Sequence, residues 1–211
     1  MKRATMAELF AKHGTDKDNP HQYGPAYDEL IPDRERIKAV LEIGVWRGYS
    51  LNAWREAFPE AVIVGMDSDN AHCPQVAGCE VHRADQRLRS DLDRVVAGRK
   101  FDLIVDDASH IAVDQLFSLF TLWPHLAPGG IYVVEEWDML PSFAGTGARP
   151  WTDSFPLLQG CDVLDTVDRA GRSEPLVVVR KTLNQARKAA AEPPLEAQAQ
   201  PDRGRAARRK T

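Results

Sequence analysis

Between Ile37 and Lys181 the spacing of apolar positions switches repeatedly between two periods. Ala39 to Gly44 (AVLEIG) is a short apolar run that ends in glycine, the pattern of a buried strand. Ser50 to Phe58 follows with apolar residues at 51, 54 and 58, which is helical spacing. A second strand is predicted over Ala61 to Asp67 and a third over Glu80 to Ala84. Gln86 to Ala97 reads as a helix with Leu88, Leu92, Val95 and Val96 on one side. A fourth strand is predicted over Phe101 to Asp106. A strongly apolar helix, Val113 to Leu126, should stop at Pro128-Gly129-Gly130, and Ile131 to Glu135 should be a fifth strand.

Strands alternating with helices imply βαβ units and a mostly parallel sheet, and near-continuous apolar strands imply burial on both faces. Cys161 to Asp168 and Glu174 to Arg180 are two further strand candidates. The five residues between them suit an antiparallel hairpin. The expected fold is a doubly wound, Rossmann-like α/β sheet of about seven mostly parallel strands, the last antiparallel. Residues 1–36 form an N-terminal helical or lid-like segment, 37–181 the α/β domain and 182–211 a tail. The connection 137–160 carries three prolines, three glycines and four large aromatic residues, and reads either as a functional lid or as a packed surface loop. A helix is compatible with Leu183 to Ala191, but the tail is rich in Ala, Pro, Gln and Arg and should be largely disordered.

A chain of 211 residues with 43% hydrophobic and 27% charged residues suits one globular domain with a short appendage. No apolar run is long enough for a membrane helix, and the N-terminus lacks the apolar core of a secretory signal. Cys73, Cys79 and Cys161 form no C-x-x-C pair, so a reduced, cytoplasmic setting is expected. The net charge of −4 hides an asymmetry: residues 182–211 hold seven Lys/Arg against three Asp/Glu, and the rest of the chain is acidic. An acidic body disfavours nucleic acid as a partner, leaving the basic tail as its single candidate contact.

In an open parallel sheet, ligands bind outside the carboxyl ends of the strands. The unusual polar residues fall there. Gly44 and Gly48 flank the first such turn as G-x-x-x-G, either a cofactor loop or a tight strand-to-helix turn. The spacing is neither the dinucleotide fingerprint nor a phosphate loop. Asp67 ends the second strand, placed to accept from a ribose diol or to cap a helix. Asp85-Gln86 follows the third, facing an adenine edge or capping the next helix. The fourth strand ends Asp106-Asp107-Ala108-Ser109-His110 and the fifth Glu135-Glu136. Four carboxylates, Asp106, Asp107, Glu135 and Glu136, are expected to converge at one edge. Like charges this close repel unless a cation intervenes, and a divalent ion such as Mg²⁺ accepts such oxygen ligands. His110, three residues past Asp107, is a candidate general base. The bland alternative is that these residues cap helices and that His110 is a surface histidine.

At these residues the sequence resembles class I S-adenosylmethionine (SAM)-dependent methyltransferases. Leu41 to Ser50 (LEIGVWRGYS) resembles their first motif, and Asp67 and Asp85-Gln86 match the ribose and adenine positions. More narrowly it resembles the metal-dependent O-methyltransferases that act on sugars of macrolides and related glycosides. Their G-T-D-K followed by H-x-Y is matched by Gly14-Thr15-Asp16-Lys17 and His21-Gln22-Tyr23, their D-D-G-S-H by residues 106–110, and their E-D by Glu135-Glu136. Ala108 stands in place of glycine, and Glu136 in place of aspartate, one methylene longer.

The resemblance implies cofactor contacts from Glu42, Gly44, Gly48, Tyr49, Ser50, Asp67, Ser68, Asp85, Gln86 and Asp106, with Thr15 and Lys17 from the early motif. It implies Mg²⁺ or another divalent cation at Asp107, Glu135 and Glu136, with His110 as base and Asp107 beside it in the catalytic pair. The function expected is SAM-dependent O-methylation of a hydroxyl on a sugar or other small natural-product-like acceptor. The alternatives are a non-catalytic SAM-binding or assembly protein and a metal-independent methyltransferase with another acceptor. An NAD-dependent oxidoreductase is disfavoured by the glycine spacing. The expected partner is the small-molecule acceptor, with no membrane; a homo-oligomer is compatible with the sequence.

Overall fold

The computed structural model describes residues 3–69, 75–136, 162–165 and 176–182. Two N-terminal helices, α1 (Met6–His13) and α2 (Gly24–Leu30), precede the sheet. Then follow β1 (Ala39–Ile43), α3 (Tyr49–Ala57), β2 (Val62–Asp67), β3 (Cys79–Arg83), α4 (Arg89–Val96), β4 (Phe101–Asp106), α5 (Ala112–Leu122), β5 (Leu126–Val134), β6 (Asp162–Asp165) and β7 (Val177–Arg180). The seven strands lie in the order β3-β2-β1-β4-β5-β7-β6. β1 to β5 pair in parallel, and β7 runs antiparallel to both β5 and β6. The expected doubly wound, Rossmann-like sheet is present, with antiparallel pairing at the β7 end.

Each face of the sheet buries its own core. Alternate strand residues, Val40, Ile63, Leu103, Val105, Ile131 and Val133, pack under α1, α2 and α3. Their neighbours, Leu41, Val64, Ile104, Tyr132 and Val134, pack under α4 and α5. The period of two in a strand thus divides the chain between two layers.

α1 owes its ends to local sequence. Thr5 and Glu8 form a reciprocal capping box, and Gly14 closes the helix in the left-handed conformation. Its Met6, Leu9 and Phe10, at helical spacing, are buried. Phe10 meets Tyr27 and Trp54 edge-on at 5.7 and 5.2 Å, which ties both N-terminal helices to α3.

Three expectations shift. The fourth helix starts at Arg89 and not at Gln86, because the Asp85 carboxylate accepts from the Arg87 N–H and turns the chain; Leu88 is left exposed. α5 stops at Leu122, where Pro124 cannot continue a helix and a single 3₁₀ turn (Trp123–His125) follows. The strand then begins at Leu126, and Pro128-Gly129-Gly130 is absorbed as a bulge in β5 opposite Phe101 to Leu103. The 137–160 connection and a helix over 183–191 lie outside the described residues, as do Cys73 and Cys161; Cys79 is a free thiol. Among the described residues no helix is long and apolar enough to cross a membrane.

Candidate active site

The strand order reverses between β1 and β4, and a cleft of about 520 Å³ opens over their carboxyl ends. Of the expected cofactor residues, Thr15, Gly44, Tyr49, Ser50, Asp67, Ser68, Asp85 and Gln86 line it. So do Asp107, His110 and Glu136. Glu42, Gly48, Asp106, Lys17 and Glu135 are not part of the lining.

The loop after β1 is held from two sides. Asp67 Oδ2 accepts from the backbone N–H groups of Val45 and Trp46 at 3.1 and 3.0 Å. Gly44 has φ +83°, and a Cβ there would lie 2.1 Å from the Asp107 carbonyl oxygen. Glycine is therefore required because the loop after β4 crosses directly over it, which brings the Asp67 side of the cleft against the Asp107 side. Gly44 and Asp67 thus build the turn after β1 and line the cleft, and Asp67 holds that loop instead of capping a helix. Gln86 faces the cleft, but its side-chain amide is already committed. Oε1 accepts from Ser109 N–H at 2.9 Å, and Nε2 donates to Ser118 Oγ at 3.0 Å and approaches Asp106 at 3.3 Å.

The four carboxylates at the ends of β4 and β5 do not converge. Strand alternation sorts them. Asp106 faces the α4–α5 side, where Tyr132 and Gln86 donate to it. Burial pushes its carboxyl up to about 8, and the hydrogen bonds from Tyr132 and Gln86 oppose this only in part. Asp107 and Glu135 face the other side together with Glu42 of β1. A cation stands between the three: Lys17 Nζ lies 2.5 Å from Asp107 Oδ2, 2.6 Å from Glu135 Oε2 and 3.4 Å from Glu42 Oε1. Burial alone would lower the ammonium's pKa, but Asp107, Glu135 and Glu42 outweigh it and raise it well above the ordinary value. Glu135 also accepts from the Tyr27 hydroxyl, and Gln115 Nε2 holds its backbone carbonyl at 3.0 Å. Lys17, expected at the cofactor, is thus an internal counter-ion. Glu135, expected to face a metal, is turned away from the cleft to meet it.

The candidate cation ligands that the fold does bring together are Asp107, His110 and Glu136, whose ligand atoms lie within 4.8 Å of one another. Two carboxylate oxygens and an imidazole nitrogen suit a divalent ion. His110 Nε2 lies 3.4 Å from Glu136 Oε2, and His21 Nε2 lies 3.1 Å from Glu136 Oε1. His110 and Glu136 have φ of +54° and +53°, and Trp46 across the cleft has +42°. A left-handed conformation at a non-glycine residue costs of order 1–3 kcal/mol and tends to gather at functional sites. Sequence reasoning missed Tyr27, Gln115 and the contact of His21. The usable signal was parity: Glu42, Asp107 and Glu135 share one face, so one buried cation had to be sought on it.

Comparison with known proteins agrees with this geometry. Residues 41–137 match the family described as "Methyltransferase domain". Mycinamicin VI 2''-O-methyltransferase of Micromonospora griseorubida is 34% identical over 157 residues, 68% of this chain and 39% of that protein. The 8-demethyl-8-alpha-L-rhamnosyl tetracenomycin-C 2'-O-methyltransferase of Streptomyces olivaceus is 34% identical over 142 residues, 62% and 37% of the two chains. The chain therefore spans about two fifths of the length of these relatives. A solved structure of the MycE methyltransferase from the mycinamycin biosynthetic pathway, in complex with Mg, SAH and mycinamycin VI, superposes with a TM-score of 0.67. It is 26% identical, and 87% of this chain covers 56% of that one. Residues 41–137 thus match a methyltransferase domain, and the chain resembles the class I SAM-dependent O-methyltransferases of the macrolide-sugar type.

Proposed function

We propose that this protein is a SAM-dependent O-methyltransferase, assisted by a divalent cation such as Mg²⁺, that methylates a hydroxyl on a sugar or similar natural-product acceptor. The observation that carries this reading is a single cleft holding Asp67 and Asp85 on one side and the Asp107–His110–Glu136 cluster on the other. Its lining has six carboxylates, Asp16, Asp67, Asp85, Asp107, Asp114 and Glu136, against one Arg87. Such a field favours a sulfonium donor and a divalent ion and disfavours the pyrophosphate of a dinucleotide. The relatives named above are O-methyltransferases of mycinamicin VI and of a rhamnosyl tetracenomycin, which supports a sugar hydroxyl as acceptor.

The methyl group passes from the sulfonium sulfur to the acceptor oxygen in line, leaving S-adenosylhomocysteine. His110 takes the hydroxyl proton. Asp107 and Glu136 would hold the ion, which when bound would stabilise negative charge on an acceptor oxygen. The protein's main contribution is to place donor carbon and acceptor about 3 Å apart. A metal-independent enzyme is the second reading, favoured by the ammonium of Lys17 already paired with Asp107; activity that survives EDTA would support it.

Calorimetric titration of SAM, with and without Mg²⁺ and with NAD as control, tests the cofactor. Micromolar SAM binding with no NAD response is expected, and no SAM binding in either condition overturns the proposal. With rhamnosides as acceptors, His110→Ala should keep SAM affinity and lose at least ~100-fold in turnover. Near-normal turnover would remove His110 from the mechanism.

A further inference from the structure

Glu136 lies beyond the last residue of β5, on backbone with φ +53°, so neither strand pairing nor a regular helix fixes its direction. Its carboxylate is nevertheless held at both ends. Oε2 faces His110, and Oε1 lies 3.1 Å from Nε2 of His21. An ionised carboxylate has no proton to give, so any proton shared between the two must come from His21.

The His21 ring is itself well fixed. Its side chain is only 11% exposed, and it stacks on Tyr23 with ring centroids 5.2 Å apart and planes 14° from parallel. Its backbone N–H donates to Asp16 carbonyl oxygen at 3.2 Å, and Tyr23 N–H to that of Lys17 at 2.8 Å. One short segment thus sorts two consecutive acids: Lys17 takes Glu135 away from the cleft, and His21 aims Glu136 into it.

We propose that His21 is a positioning residue that presents Glu136 to the divalent cation, so that the segment before β1 sets metal affinity. The proposal rests on the metal-assisted reading above. Glu136 is long and flexible, and a ligand free to turn away would bind weakly. Outer partners that orient a ligand typically change metal affinity by 10–100-fold when removed.

The test is Mn²⁺ binding to the full chain, read from the loss of the free-ion electron paramagnetic resonance signal. His21→Phe keeps a ring to stack on Tyr23 but has no donor; His21→Gln returns an N–H near the position of Nε2. The expected result is Mn²⁺ affinity about 10–100-fold weaker in His21→Phe and close to wild type in His21→Gln, with SAM affinity and thermal midpoint unchanged in both. Wild-type affinity in His21→Phe, or equal weakening in both variants, overturns the role of His21. Absence of Mn²⁺ binding to the wild-type chain instead overturns the metal-assisted reading itself, and the two failures are thereby told apart.

Discussion

On the face covered by α1, α2 and α3, Glu42, Asp107 and Glu135 gather around the ammonium of Lys17; on the face covered by α4 and α5, Asp106 meets only neutral donors. Both regions bury carboxyl groups at the ends of neighbouring strands, and both lie behind the same cleft. The first supplies one cation for three acids; the lysine keeps its proton, while burial still pushes the Glu42 and Glu135 carboxyls up and Lys17 opposes this only in part. The second supplies an amide and a phenol, and the acid is pushed toward its protonated form, with a pKa of about 8. Burying a charge is tolerable when it is paired, and otherwise the group neutralises itself. The charged region abuts the side of the cleft where Asp107 faces the candidate cation site. The neutral region supports the turn from behind, through Gln86 and Ser109.

The contrast can be broken from either side. Lys17→Met should have the largest effect, about 3–5 kcal/mol of lost stability by urea denaturation, because it leaves buried acids without their cation. A loss below ~1 kcal/mol would show that the lysine is not what the acids depend on. Gln86→Ala should cost about 1–3 kcal/mol, since it leaves Ser109 N–H and the Ser118 hydroxyl short of a partner but uncovers no full charge. A cost equal to that of Lys17→Met would erase the difference between the two faces.

Asp106→Asn should have the smallest effect, and one that changes with pH. Folding raises this group from 3.8 to about 8, so between those values the folded state holds a proton that the unfolded chain has released. The stabilisation is complete below pH 3.8 and is lost as pH rises through about 8. Wild type should therefore lose stability relative to Asp106→Asn steadily as pH rises across that window. Parallel denaturation midpoints from pH 4 to 9 would show that Asp106 is not neutralised by folding.

Most of the sheet was legible in the sequence because a parallel strand buried on both faces leaves a nearly continuous apolar run. Where boundaries moved, a local rule outweighed periodicity. Asp85 turned the chain before α4, Pro124 ended α5 early, and Pro128-Gly129-Gly130 bent within a strand instead of ending a helix. The candidate site was legible as a set of strand ends but not as a set of contacts. Asp67, Asp107 and His110 line the cleft. Lys17 and Glu135 line a buried ion cluster in place of the cleft.

The sequence by itself determined which residues are apolar and at what period, and through them the alternation of strands and helices and the positions of the turn residues at the sheet edge. Only the tertiary structure decided which acids meet which partners. That choice depends on three things at once: the strand's period of two, the register of β1 against β4 and β5, and a lysine and a histidine delivered from a segment more than 85 residues away along the chain from Asp107. No local stretch holds that information, because an ion pair is defined by distance in space and by exclusion of water, and both appear only when the two cores close around it.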